Sequence, residues 1–261
     1  MSKTAKELAF IRDLVIDPEW TLRFTELFDK HFKIADEKEI LYINPGTGNH
    51  AIELRAKLDD DVRFQTFSTD TESNILAQAK TEVVKAEIAF GGEFPRESFD
   101  LVIADASFVK QEDLTEFIQD AIELSDGRVA ITLTTAGSFG EIFSLMWESC
   151  LESGLSEHAP EIERMIASMP QVTAVEELAA KLGLKKIKSH TANEVFEYEN
   201  GAEFIAAPLV SDFLMPMWLD FLSEDEADLL LNKLAAAIDE QAEGLTFRFS
   251  VKATLINGTK T

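Results

Sequence analysis

Apolar positions at helical spacing open the chain: Leu8, Phe10, Ile11 and Leu14 over 5–14, then Leu22, Phe24, Leu27, Phe28 and Phe32 over 21–32. That spacing lays one apolar stripe along each helix. The Asp17-Pro18 pair between the two predicts a break, because proline has no amide hydrogen for an interior turn. Residues 40–43 then form a short apolar run ended by Asn44-Pro45-Gly46, the pattern of a buried strand entering a tight turn. Helical spacing resumes over 51–58. The alternation repeats as strand 63–68, helix 71–83, strand 85–90, strand 99–104, helix 112–124 and strand 128–134. Strands that alternate with helices predict a mostly parallel sheet covered on both faces.

The second half reads differently. Residues 141–151 and 161–169 have helical spacing with no strand between them and carry Phe143, Met146, Trp147 and Ile162, so they are expected to be an inserted helical cover. A helix at 175–182, a stop at Gly183 and a strand at 185–189 running towards Phe196 restore the alternation. A second helical block covers 202–242 and includes Phe213 and Met217, and 246–256 alternates as a strand that joins the sheet late. The expected architecture is α/β, doubly wound around a mostly parallel seven-stranded sheet. N-terminal helices occupy 1–35, and an α/β domain at 36–261 carries helical insertions at about 138–170 and 200–242, of which 138–169 and 202–218 are expected to move over a ligand pocket.

Charge narrows the class of partner. Acidic residues outnumber basic ones 48 to 24, a net charge of −24, and the stretch 101–150 has only Lys110 and Arg128 as bases. Such a field repels polyanions and anionic lipid, which argues against nucleic acid and membrane partners. Cys150 is the one cysteine, which excludes an internal disulfide framework and suits a reducing, cytoplasmic setting. The N-terminal residues lack the continuous apolar region of a signal peptide, and no apolar run approaches the roughly 18 residues of a membrane span.

Chemistry concentrates where the first strand meets its helix. Asn44-Pro45-Gly46-Thr47-Gly48-Asn49 is a glycine-bearing turn, and glycines there let backbone approach a ligand while the helix start favours negative charge. Asp70, at the end of the second strand, is placed to accept two hydrogen bonds from a ribose diol. A strand-to-helix turn of this kind also forms with no ligand. Gly46 to Ala51 satisfies the dinucleotide fingerprint literally, so an NAD-dependent dehydrogenase is one alternative.

The order of segments resembles the class I S-adenosylmethionine-dependent methyltransferases, in their small-molecule branch. Residues 40–48 look like that family's first motif, and 70–79 like its second-strand acid and following helix. Phe94-Pro95 with 98–103, and 127–131, resemble the approaches to its fourth and fifth strands; 175–187 and the end at 256–260 resemble its closing part. Two departures stand out: the first motif has Tyr42 where the family usually has an acid and Asn44 where it has a glycine, and Phe90-Gly91-Gly92-Glu93 stands where an acid often contacts adenine. They keep open a non-catalytic, methyltransferase-like binding or regulatory module.

The resemblance implies S-adenosylmethionine as cofactor and methyl transfer to a small molecule. It places the amino acid end of the cofactor near Asn44, Gly46, Thr47 and Gly48, the ribose near Asp70 and Thr71, and the adenine near Phe90, Gly91 and Glu93, with Ala104 lining the fourth-strand side. Asp105, after the fourth strand, is the implied catalytic group, against the plainer expectation that it caps a turn. Trp147, His158, Phe213 and Met217 are expected to line the acceptor pocket, although apolar stripes more often form core or a homodimer contact. His50 is expected to be solvated, and the scattered histidines at 31, 50, 158 and 190 give no metal-ligand spacing.

Overall fold

Thr4 and Glu7 start the first helix, α1 (Ala5–Ile11), with a reciprocal cap: the Glu7 amide donates to the Thr4 hydroxyl at 3.3 Å and the Thr4 amide to the Glu7 carboxylate at 2.8 Å. The computed structural model describes residues 3–242 and 244–260 and continues this helix through the expected break. Across Arg12–Thr21 the backbone widens into π-type turns that accommodate Pro18, then returns to an α-helix in α2 (Leu22–His31). A wide turn absorbs a residue with no amide hydrogen, so Asp17-Pro18 distorts the ladder instead of ending it.

The alternating region folds as β1 (Glu39–Ile43), α3 (Asn49–Arg55), β2 (Arg63–Phe67), α4 (Thr71–Val84), β3 (Ala89–Phe90), β4 (Phe99–Asp105), α5 (Leu114–Leu124) and β5 (Ser125–Thr135). The strand expected at 85–90 shrinks to two residues. Lys85 ends α4 in the left-handed region at φ 56°, and the Ala86 amide returns to the Thr81 carbonyl at 2.9 Å, so these residues close the helix. Next come α6 (Gly140–Glu152), α7 (Ala159–Ser168), α8 (Val172–Lys181), β6 (Leu184–Tyr198), α9 (Gly201–Ala206), α10 (Met215–Trp218), α11 (Glu224–Ala242) and β7 (Phe247–Lys260). The second helical block is therefore not continuous: a π-type stretch, Leu209–Leu214, begins after Pro208. Ser223 and Glu226 cap α11 reciprocally, the Ser223 amide donating to Glu226 at 2.9 Å.

The seven strands form one mixed sheet in the order β3-β2-β1-β4-β5-β7-β6, which bears out the expected fold class. Strands β1 to β5 pair in parallel, with Ile40 opposite both Phe64 and Leu101, and Val102 opposite Val129. β7 runs antiparallel to β6: Thr191 bonds Thr254 at 3.0 Å, Asn193 bonds Lys252, and Glu197 pairs with Arg248, so numbers fall on one strand as they rise on the other. The chain winds outward from β1 through β2 to β3 and then returns to β4, which makes the edge between β1 and β4 the switch point where open α/β sheets bind ligands.

Two compact units divide the chain, Met1–Leu133 with Val172–Ala192 and Ala253–Thr261, and Thr134–Gln171 with Asn193–Lys252. In the first, Leu41, Val102, Ile118, Ile122, Ile131 and Ile256 pack as a buried cluster on one face of the sheet. In the second, Trp218 meets Phe139 and Phe143 edge to face with ring centroids 4.8 and 4.9 Å apart, and the two phenylalanines lie tilted to each other at 5.8 Å. Phe143 and Met146, from the helix expected to be part of a cover, are buried core there. Among the described residues no helix is long and apolar enough to cross a membrane.

Candidate functional site

The glycine turn after β1 is shaped by three left-handed residues. Asn44 holds φ 55°, a conformation asparagine tolerates better than most side chains, and Gly46 and Gly48 hold 59° and 83°. Asn44 uses the position: its amide donates to the Phe67 carbonyl at 2.8 Å and its side chain to the Asp105 carbonyl at 3.3 Å. It thereby ties together the ends of β1, β2 and β4.

Behind the turn lies a charged lock that the sequence did not reveal. Thr47, fully buried, donates to Asp13 at 2.6 Å, and Asn49 donates to Asp13 at 3.1 Å and to Asp17 at 2.5 Å. Lys80 reaches in from α4 to Thr47 at 3.1 Å and to Asn49 at 2.6 Å, and pairs with Asp13. Burial tends to raise the Asp13 carboxyl, but the hydrogen bonds from Lys80, Thr47 and Asn49 outweigh it and hold the carboxyl below its ordinary value. Asp17 goes the other way, because burial dominates and raises it, and its Oδ1 finds no hydrogen-bond partner. The wide turns of 12–21 bring Asp13 and Asp17 to the same side, so the stretch expected to be a break supplies half of the lock.

A second chain of hydrogen bonds runs inwards from Asp29 to Tyr42. The Tyr42 hydroxyl meets His50 Nδ1 at 3.1 Å, and His50 Nε2 meets Asp29 at 3.3 Å. In the neutral imidazole this assigns the proton to Nε2, which donates to the carboxylate while Tyr42 donates to Nδ1. His50 is 7% exposed, which corrects the expectation that it is solvated: the first turn of α3 faces inwards onto Tyr42 and Phe28.

Two cavities open at the carboxyl ends of β1, β2 and β4, and Asn44, Thr69 and Phe108 line both. The larger, about 780 Å3, is lined by four phenylalanines, Phe67, Phe94, Phe108 and Phe117, by Gly92, and by the charged side chains of Arg96, Lys110, Asp113, Asp120 and Glu123. The smaller, about 200 Å3, is polar and is lined by Arg12, Gly46, Asp70, Ser73 and Asp105. Asp70 caps α4, accepting from the Ser73 amide at 3.0 Å and the Ser73 hydroxyl at 2.7 Å, and Arg12 stands 3.6 Å away with its guanidinium over the Phe108 ring at 5.4 Å. Asp105 accepts from the Ser107 amide at 2.9 Å, the Ser107 hydroxyl at 3.2 Å and Thr132 at 3.1 Å, while Trp20 donates to the same Ser107 hydroxyl at 3.0 Å. Burial raises the Asp105 carboxyl against the pull of those donors and of Arg12. It is thus both the turn cap and a cavity wall.

The sequence-predicted residues fall into three groups. Asn44, Gly46, Asp70 and Asp105 come together around the polar cavity. Thr47 turns into the lock, Gly48 packs on Ala77, Thr71 is exposed at the start of α4, and Ala104 lies in the sheet core. Phe90 and Gly91 are not among the cavity-lining residues, whereas their neighbours Gly92 and Phe94 are. Trp147, His158, Phe213 and Met217 belong to the second unit and are part-buried. There Trp147 donates to Glu163 at 3.1 Å, and the ligand atoms of Glu157, His158 and Glu226 gather within 4.8 Å, a grouping hidden in the sequence because His158 and Glu226 stand 68 positions apart. Arg12 and Phe67 were missed; they have no motif, and only the topology brings them to the site.

No protein-family model matches the chain, and no curated protein matches it. Solved structures do. The YcgJ protein of Bacillus subtilis superposes with a TM-score of 0.57 at 15% identity over 92% of this chain and 98% of that one. A methyltransferase candidate from Bacillus halodurans gives 0.55 at 12% identity over 91% and 98%. Phosphoethanolamine N-methyltransferase 2 of Haemonchus contortus, in complex with phosphomonomethylethanolamine and S-adenosylhomocysteine, gives 0.52 at 14% identity over 99% of this chain and 61% of that one. The strand order, the glycine turn and these superpositions together establish that the chain has the fold of the class I methyltransferases.

Proposed function

We propose that the protein binds S-adenosylmethionine and transfers its methyl group to a small-molecule acceptor. The observation that carries this reading is the pair of adjoining cavities at the switch point, one lined by four phenylalanines and one polar. An adenine suits the phenylalanine-lined cavity, and a ribose with a zwitterionic amino acid end suits the cavity that has carboxylates, a guanidinium and glycine backbone. The residues present fit the cofactor: Phe67 and Phe94 would hold its base, Asp70 its ribose, and Asn44 and Gly46 the amino acid end. The cofactor supplies an electrophilic methyl group. The chain positions and shields, and methyl transfer to an already nucleophilic atom needs little more. For an acceptor that must lose a proton, Asp105 is the proposed group, since its raised pKa makes it a better base than an ordinary carboxylate. Trp147, His158, Phe213 and Met217 are the proposed acceptor-side residues.

Titration calorimetry with S-adenosylmethionine, S-adenosylhomocysteine and NAD tests the cofactor. Binding of the first two supports the reading, and binding of NAD alone transfers it to a dehydrogenase. Asp70→Ala is expected to weaken S-adenosylhomocysteine by about tenfold, the loss of one charge-assisted contact; unchanged affinity would remove Asp70 from the ribose. A second reading, a binding or regulatory module without turnover, is favoured by the departure at Tyr42, whose hydroxyl is bound into the chain with His50 and Asp29. A panel of acceptors assayed for S-adenosylhomocysteine separates the two, because product from any acceptor excludes the module.

A further inference from the structure

Arg12 holds the place where a ligand's own charges would have to sit. It is the one base among the residues lining the polar cavity, and it faces two carboxylates, Asp70 at 3.6 Å and, more distantly, Asp105, where its charge opposes the rise that burial causes. Both Asp70 oxygens already have donors: Ser73 supplies its amide to Oδ1 and its hydroxyl to Oδ2, and Arg12 approaches that same Oδ2. A ribose diol needs two acceptor positions on this carboxylate. The Arg12–Asp70 pair is partly exposed, at 22% and 40%, and longer than a hydrogen bond, and pairs of that kind are readily exchanged.

We infer that Arg12 exchanges carboxylates on ligand binding: paired with Asp70 in the free protein, it moves to the carboxylate of the ligand's amino acid end and so releases Asp70 to the ribose. The inference rests on the cofactor reading above and goes beyond it by naming a specificity residue outside every motif. Two features make the exchange short. Arg12 lies over Phe108, which lines both cavities, so the guanidinium keeps its ring contact while it changes anionic partner. Gly46, at the turn assigned to the amino acid end, lines the same small cavity as Arg12. A planar guanidinium also matches a carboxylate through two parallel hydrogen bonds, which the looser contact to Asp70 does not provide.

The exchange has a two-sided signature that a merely structural arginine lacks. Wild type, Arg12→Gln and Arg12→Lys are titrated calorimetrically with S-adenosylhomocysteine and with 5′-methylthioadenosine, a nucleoside that has no amino acid end. Arg12→Gln is expected to bind S-adenosylhomocysteine about tenfold more weakly and 5′-methylthioadenosine about threefold more tightly, with Arg12→Lys between wild type and Gln for both. Changes of the same sign for both ligands, or no change in either, overturn the inference while the cofactor reading stands on wild-type binding. Failure of wild type to bind either ligand overturns the cofactor reading, and the inference falls with it. Thermal melts of the variants identify any loss of fold, and Arg12→Lys, which keeps the charge, carries the comparison if Arg12→Gln melts early.

Discussion

Gly48 lies against Ala77 so closely that a Cβ built on it would stand 2.9 Å from the Ala77 Cβ. The contact brings the start of α3 onto α4, the two helices that follow β1 and β2, and so sets where the glycine turn ends. Gly48 also holds φ 83°, which a side chain resists.

Gly48→Ala is therefore expected to be destabilising by about 1–3 kcal/mol through left-handed strain, with the clash against Ala77 added. Gly91→Ala is the control: Gly91 is also left-handed, at φ 70°, but has nothing within 4 Å of its Cβ position. Urea denaturation of both separates packing from backbone strain. Equal losses in the two variants would show that the Ala77 contact is unimportant.

The lock behind the turn predicts a strong dependence on Lys80. Lys80→Met removes hydrogen bonds to Asp13, Thr47 and Asn49 and leaves the part-buried Asp13 carboxylate without its cation. The expected loss is about 1–3 kcal/mol, read from urea midpoints. In a double-mutant cycle with Asp13→Asn, the second change is expected to add much less than its own single cost, and additive losses would refute the pairing.

Asp29 predicts a pH dependence. The hydrogen bond from His50 outweighs partial burial and holds the Asp29 carboxyl below its ordinary value. The folded protein thus binds this proton less readily than the unfolded chain. The associated stability is complete above the unfolded value of roughly 3.9 and is lost as pH falls through the lower folded value. Thermal melts of wild type and Asp29→Asn should differ most at pH 5 and above and converge at the acid end. A gap that widens on acidification would reverse the assignment.

The apolar rhythm of the chain determined the α/β class, the number of strands and the order of elements up to β5, because each element is marked by its own local period. The glycine turn and Asp70 were legible for the same reason: a left-handed turn and a helix cap are local demands that particular residues meet. Position 85 shows the limit. An apolar-looking run became the end of a helix once Lys85 took the left-handed region, a choice governed by how α4 closes. Asp17-Pro18 shows it again, since a break and a widened turn have the same sequence, and packing of Trp20 and Phe24 in the core selected the continuous helix. Only the tertiary structure could place Arg12 beside Asp70, Lys80 beside Asp13, and Asp29 beside His50, pairs 58, 67 and 21 residues apart. Charged partners that distant leave no periodicity and no spacing rule, because their meeting depends on how the strands are ordered in the sheet and on where the first helix packs.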